Sequence, residues 1–185
     1  MLFRSGRWWA SHPFSLSAVP DAGSLRITVK DLGDFSGKLA SIPIGTRVVT
    51  EGPFGVFTDA ARHRPKALLI GGGIGITPIR AMLEEIEGDV VVVYRVVHED
   101  EVILGSELRA LAAQKGAVLH VVAGDHRTDE GRGLLSAAHL RELVPDVEER
   151  EVFVCGPPAM ADATRAAVRA ARVPSRYVHI ERFAL

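Results

Sequence analysis

The stretch LLIGGGIGITPIRAML, residues 68–83, carries the densest chemical signal in the chain. A buried-looking strand, Leu68 to Ile70, runs into Gly71-Gly72-Gly73-Ile74-Gly75, and Thr77-Pro78 follow. Glycines between a strand and a helix let a ligand come close to the backbone. The start of the helix then offers unpaired N–H groups and a partial positive charge to a pyrophosphate. Pro78 is expected at the first helical position and Thr77 as a cap for the same end. The spacing is G-x-G-x-x-P over Gly73–Pro78, not the usual G-x-G-x-x-G. No acidic residue closes the next strand, where a ribose-binding carboxylate would be expected; Tyr94-Arg95 stands there. Taken alone, the loop is either a phosphate cradle or a tight turn with packing glycines.

Two other stretches have residue types suited to a site. CGPPAM, 155–160, ends a strand-like run with the chain's one cysteine. A nucleophilic role is not expected for Cys155, because no basic partner stands beside it. SHPFSLS, 11–17, places His12 and Phe14 on one face of an alternating segment and Ser15 on the other. The histidines at 63, 120, 126, 139 and 179 have no metal-ligand spacing, and no metal site is expected.

The elements that must position these residues fall into two patterns. In the first sixty residues, Phe14–Val19 and Leu25–Lys30 alternate with period two, a turn at Asp21-Ala22-Gly23 joins them, and Arg47–Glu51 reads as a third strand. Phe35–Ile42 reads as a short helix or loop. Beyond Arg62-His63-Arg64-Pro65, strands at 67–70, 90–96, 118–122, 152–154 and 177–180 alternate with helices at 78–87, 106–114, 136–144 and 159–171. Ile79, Met82, Leu83 and Ile86 make one apolar helical face. This order predicts a parallel sheet covered by helices on both faces. The boundary is set between residues 62 and 63.

Composition narrows the function classes. With 47% hydrophobic residues, 24% charged residues and a net charge of -1, the chain reads as a soluble globular protein and lacks the basic excess of a nucleic-acid binder. A single cysteine excludes an internal disulfide. No apolar run approaches the ~18 residues of a membrane span, and the longest, Val90–Val97, is interrupted by Arg95. The location expected for the chain is the cytoplasmic side.

HPFSLS (12–17), GDFS (33–36), GGIGITP (72–78), CGPPAM (155–160) and ERF (181–183) occur in one order across nearly the whole chain. In these motifs the sequence resembles the ferredoxin–NADP reductase-like flavoprotein family. HPFS points within it to the branch of ferric reductases and NADPH oxidases. The resemblance implies an FAD-binding antiparallel β-barrel, here incomplete, over residues 1–62, followed by a parallel-sheet α/β NAD(P)-binding domain over 63–185. It implies FAD and NAD(P)H as cofactors.

Residue by residue, it implies that His12 faces the FAD pyrophosphate, that Phe14 packs on the isoalloxazine or ribityl, and that Ser15 lies near flavin N5. Gly33 and Ser36 would hold the FAD diphosphate, with Pro13 and Lys30 in the same cofactor-binding set. Gly72, Gly73, Gly75 and Thr77 would hold the pyridine nucleotide, and Cys155, Gly156 and Pro157 would lie beside its nicotinamide. Glu181 would sit at the flavin–nicotinamide junction and Phe183 over the flavin ring. Ser15, Cys155 and Glu181 form the catalytic set. Many NADPH-using members carry a Ser-Arg pair where Val97-His98 stands. Arg95 and His98 are the basic residues near that place, so NADH or NADPH stays open, with a lean to NADH.

The implied reaction passes a hydride from nicotinamide to flavin and electrons onward to a one-electron acceptor: a haem domain, a ferric chelate or a redox protein. Two alternatives stand beside it, a nucleotide-binding module without redox turnover and the reductase component of an oxygenase system. The family barrel has roughly three more strands before HPFS, whereas eleven residues precede His12, of which LFRSGRWW reads as the tail of one strand. The expectation is therefore a truncated chain with weak flavin affinity and an open barrel edge through which it could oligomerise. Its parent would carry the missing strands upstream, and membrane helices are an open addition.

Overall fold

A computed structural model of the chain describes residues 2–5, 12–33, 36–52, 54, 55 and 57–183. Asp34 and Phe35 of GDFS, Pro53 of the GPFG turn, residues 6–9 of LFRSGRWW and the last two residues lie outside the described set.

Three short strands, β1 (Leu2–Ser5), β2 (His12–Pro13) and β3 (Val48–Glu51), form an antiparallel sheet in the order β2-β1-β3. One helical turn, α1 (Ser36–Leu39), precedes β3. The expected strands at 14–19 and 25–30 are reduced to a single bridge between Leu16 and Ile27. Alternation alone does not make a strand, because backbone groups need a paired neighbour and side chains a surface to cover. Val19 and Leu25 remain exposed, so that surface is missing. Among the described residues, one three-stranded sheet and one isolated bridge do not make an evident part of a barrel, which corrects the expectation of an incomplete barrel over residues 1–62.

After the linker the pattern changes. β4 (Lys66–Gly72), α2 (Ile76–Glu85), β5 (Asp89–Val96), α3 (Gly105–Lys115), β6 (Val118–Ala123), α4 (Asp129–Gly133), α5 (Ala137–Leu143), β7 (Glu151–Gly156), α6 (Pro158–Ala170) and β8 (Val178–Arg182) follow in turn. The five strands form a parallel sheet in the order β6-β5-β4-β7-β8. The order reverses direction beside β4, and sheets of this kind bind ligands outside the carboxyl ends of their strands at that point.

Both faces of this sheet are dry. Leu69, Val92, Tyr94 and Phe153 pack with α2 and α3 on one side; Leu68, Ile70, Val93 and Val154 pack with α5 and α6 on the other. Parallel strands covered on both faces read as continuous apolar runs, as β5 does. At the amino end of the sheet, buried Arg150 holds Asp89 and Asp146, and Lys66 also reaches Asp146. These bonds satisfy the charge that burial would otherwise penalise. No described helix is long and apolar enough to cross a membrane.

Candidate functional site

The glycine loop does two separate jobs. β4 continues through Gly72, a tight turn covers Gly73–Gly75, and α2 starts at Ile76. A side chain at Gly75 would run into the Cys155 carbonyl, so this glycine lets the loop press against β7. Gly71 and Gly72 are similarly closed, against Ile76 and Met160. Gly73 differs: its φ is 52° and nothing lies within 4 Å of where a Cβ would stand. It is the glycine that leaves room for a ligand at the start of a ten-residue helix.

Thr77 is not the expected cap. α2 begins one residue before it, and its Oγ1 donates to the Ile74 carbonyl at 2.9 Å, bracing the turn from inside. Pro78 is accordingly the third helical residue rather than the first.

Cys155 is fully buried near the carboxyl end of β7, in register with Gly71 on one side and Glu181 on the other. Burial pushes its thiol well above the ordinary range, and the nearby Glu181 charge adds to this. The thiol is therefore held in its protonated, less reactive form. Burial also raises the carboxyl of Glu181, opposed by a hydrogen bond from Ser15. The Ser15 hydroxyl donates to Glu181 Oε1 at 3.5 Å, across 166 residues of sequence. Ser15, Cys155 and Glu181 are thus brought together at the strand ends beside the loop. Phe183 packs against the cluster that contains Cys155, and its N–H donates to the Gly156 carbonyl at 3.2 Å. Pro157 is exposed just before α6.

The remaining candidates are not all gathered there. His12 and Pro13 form β2, Phe14 is half-buried, and Lys30 is exposed. The Ser36 hydroxyl accepts the Leu32 N–H at 2.8 Å and donates to the Gly33 carbonyl at 3.4 Å. It closes its own turn. Arg95 is committed too: it is 9% exposed and donates to the carbonyls of Val96, Val122 and Gly124. It is a strut across the ends of β5 and β6. His98 is exposed and opens the turn Glu99-Asp100-Glu101, whose Glu101 carboxylate accepts the Val97 and His98 N–H groups. Three acids at this strand end oppose an added phosphate.

Sequence reasoning missed one buried cluster. Glu151 is fully buried and accepts the N–H groups of His63 at 2.5 Å and Arg64 at 2.9 Å, while its Oε1 lies 2.7 Å from His179 Nε2. The His179 ring stacks on Phe153 at 4.5 Å. Burial works against the Glu151 charge, but His179 and the two N–H groups outweigh it and hold the carboxyl low. The available signal was positional: His179 and Glu181 share one face of β8, as Phe153 and Cys155 do of β7.

Comparison with known proteins agrees with this fold. The profile of the oxidoreductase NAD-binding domain matches residues 69–166. The chain belongs to that family. It is 37% identical over 178 residues to the ferredoxin reductase component of 3-ketosteroid-9-alpha-monooxygenase from Mycobacterium tuberculosis, covering 92% of this chain and 49% of the relative. It is 29% identical over 189 residues to the glycine betaine monooxygenase reductase subunit of Chromohalobacter salexigens, covering 92% and 50%. This oxidoreductase NAD-binding chain spans about half the length of these curated relatives. Among solved structures, the FAD/NAD-binding domain of nitric oxide dioxygenase from Vibrio cholerae superposes with a TM-score of 0.73 at 21% identity, covering 98% of this chain and 82% of that one. That likeness concerns the fold. The two curated relatives are reductases of oxygenase systems, which corrects the expected ferric reductase and NADPH oxidase branch. That branch rested on the four residues of HPFS, 12–15, and similarity over most of the chain outweighs it.

Proposed function

We propose that this chain is the NAD(P)H-dependent, flavin-linked part of a reductase that feeds electrons to an oxygenase through a redox protein, with NADH preferred. The carrying observation is the meeting of Ser15, Glu181 and Cys155 at the strand ends beside the open position at Gly73. The site suits a dinucleotide: Gly73 leaves the backbone open at a helix start, and the strand ends provide the shelf. For a flavin, Ser15 at the strand ends and its half-buried neighbour Phe14 are the first candidates, with His12, Pro13, Lys30, Gly33 and Ser36 as the further candidate contacts.

When bound, the nicotinamide would supply a hydride and the flavin would take it and release electrons one at a time. The protein's part is placement. Gly73 and the first N–H groups of α2 hold the pyrophosphate, with Gly72, Gly75 and Thr77 shaping the loop. Exposed Pro157 and, once Phe183 moves aside, Cys155 and Gly156 behind it would form a small, uncharged wall for the nicotinamide. Glu181 accepts a long hydrogen bond from the Ser15 hydroxyl, and Phe183 covers the position that the ring must enter. The acidic turn after His98 disfavours a 2′-phosphate, which supports the preference for NADH.

The test is NADH-driven reduction of ferricyanide by the purified chain, with and without added FAD, compared with NADPH. Flavin-dependent turnover that favours NADH supports the reading. A second reading, a nucleotide-binding module without redox turnover, is favoured by the thin three-stranded sheet. Dinucleotide binding without turnover at saturating FAD would select it.

A further inference from the structure

Two arginines and two glutamates form a chain of ion pairs, Glu84–Arg80–Glu107–Arg26, and the Ser17 carbonyl, shared by both arginines, closes it into a ring between the Ser15 segment and the helix that follows the glycine loop. Arg80 lies one turn into α2 and is 9% exposed. Its Nη1 donates to the Ser17 carbonyl at 3.0 Å and to Glu84 at 2.7 Å, and its Nε donates to Glu107 of α3 at 3.1 Å. Arg26 donates to the same two acceptors, Glu107 at 2.8 Å and the Ser17 carbonyl at 2.7 Å. Glu84 also accepts the Val19 N–H at 2.9 Å. The two charges of each sign cancel, so the ring can sit half-buried without a net charge to solvate.

The ring grips a short piece of backbone. Ser17 N–H donates to the Arg26 carbonyl at 2.8 Å, so residues 17–26 form one loop held at its base. Ser17 is the one buried residue among those before Lys66 whose burial is described. Ser15 stands two residues away, and its 3.5 Å bond to Glu181 is too long to hold the segment unaided. Gly73 opens the turn that runs straight into α2, and Arg80 lies one turn into that helix, so one continuous turn-and-helix element joins the open glycine to the Ser15 segment.

We propose that Arg80 and Glu107 are positioning residues that lock the Ser15 segment to the dinucleotide-loop helix and keep Ser15 within reach of Glu181. This rests on the reading that Ser15 and Glu181 flank the reacting rings. Arg80 and Glu107 touch neither ligand; they act through the Ser17 carbonyl and Arg26. Glu107 is held below the usual carboxylate range by Arg26 first and by Arg80, as a ring of compensated charges requires.

The experiment compares the full chain with Arg80→Met and Glu107→Gln by hydrogen exchange and by NADH-dependent ferricyanide reduction with added FAD. Amides of residues 15–28 are expected to exchange about tenfold faster in Arg80→Met, as loss of charged hydrogen bonds implies, while β4, β5 and β7 keep their protection. Turnover is expected to fall about tenfold in kcat with KM for NADH nearly unchanged, because the Gly73 loop is intact. Added salt should loosen residues 15–28 in the parent chain and have little further effect in Arg80→Met. Should Arg80→Met fail to fold, Glu107→Gln, on a partly exposed carboxylate, carries the test. Unchanged protection of 15–28 in the folded variants overturns the proposal, as does a rise in KM matching the fall in kcat. If the parent chain shows no FAD-dependent turnover, the functional reading fails, and hydrogen exchange alone still decides whether the ring holds the segment.

Discussion

Leu69 and Val49 are both apolar residues on strands, yet Leu69 is fully buried in β4 while Val49 in β3 is 59% exposed. The contrast extends to the regions around them. The parallel sheet buries side chains on both faces and forms two hydrophobic clusters. The antiparallel sheet buries none of its described side chains. The second region is held together by its core. The first is tied to that core by Phe57, which meets Phe153 edge-on, and by polar contacts: the Arg80 ring, the Glu151 clamp on the linker and the Ser15–Glu181 bond. One region supplies stability and the other borrows position from it.

The largest effect should come from the core. Leu69→Ala is expected to cost about 4 kcal/mol in urea unfolding, through lost burial and a cavity. Val49→Ala should stay within about 0.5 kcal/mol. A comparable loss at Val49 would break the contrast.

Next, Gly75→Ala should cost about 3 kcal/mol, because its methyl meets backbone on β7 that has little room to move. Gly73→Ala should cost about 1 kcal/mol for its positive φ. Under the proposed function, Gly73→Ala should nevertheless weaken dinucleotide binding in a calorimetric titration. Equal stability losses at the two glycines would erase the division between the packing glycine and the ligand-facing one.

Acid unfolding tests the base of the sheet. Burial opposes the charge on Asp146, but Arg150 and Lys66 hold its carboxyl at about 2 against an ordinary 3.8. A lowered carboxyl stabilises the fold above its ordinary pKa and loses that contribution as pH falls through the folded value. Stability should therefore drop by up to about 2 kcal/mol between pH ~4 and pH ~2. Asp146→Asn should flatten this window.

The smallest effect has the opposite sign. Burial raises Glu181, so its charge disfavours the fold once pH exceeds the raised value. Glu181→Gln should slightly stabilise the chain at neutral pH while lowering kcat under the proposed function. A destabilised Glu181→Gln would count against a carboxylate strained by burial.

The same contrast explains what the sequence made legible. Every strand and helix expected after residue 65 has a counterpart, because a run such as Val90–Val96 states its own burial. Helix starts were less legible: Thr77 has the chemistry of a cap, yet its hydroxyl turns inward to Ile74. In the first region the alternation of Phe14–Val19 was visible, but whether it becomes a strand depends on partners elsewhere. In the site, Cys155 and Glu181 were marked by local motifs. The Arg80 ring was not, since Arg26 and Glu107 stand 81 residues apart and nothing local distinguishes them from other surface charges.

Cys155 also gives the molecule a clock. It is the only thiol, fully enclosed, and its high pKa leaves almost no thiolate to react at neutral pH. An alkylating reagent can therefore modify the unaltered chain only during the moments when β7 is released from its neighbours. The rate at which label accumulates counts those openings, with no engineered residue and no competing signal.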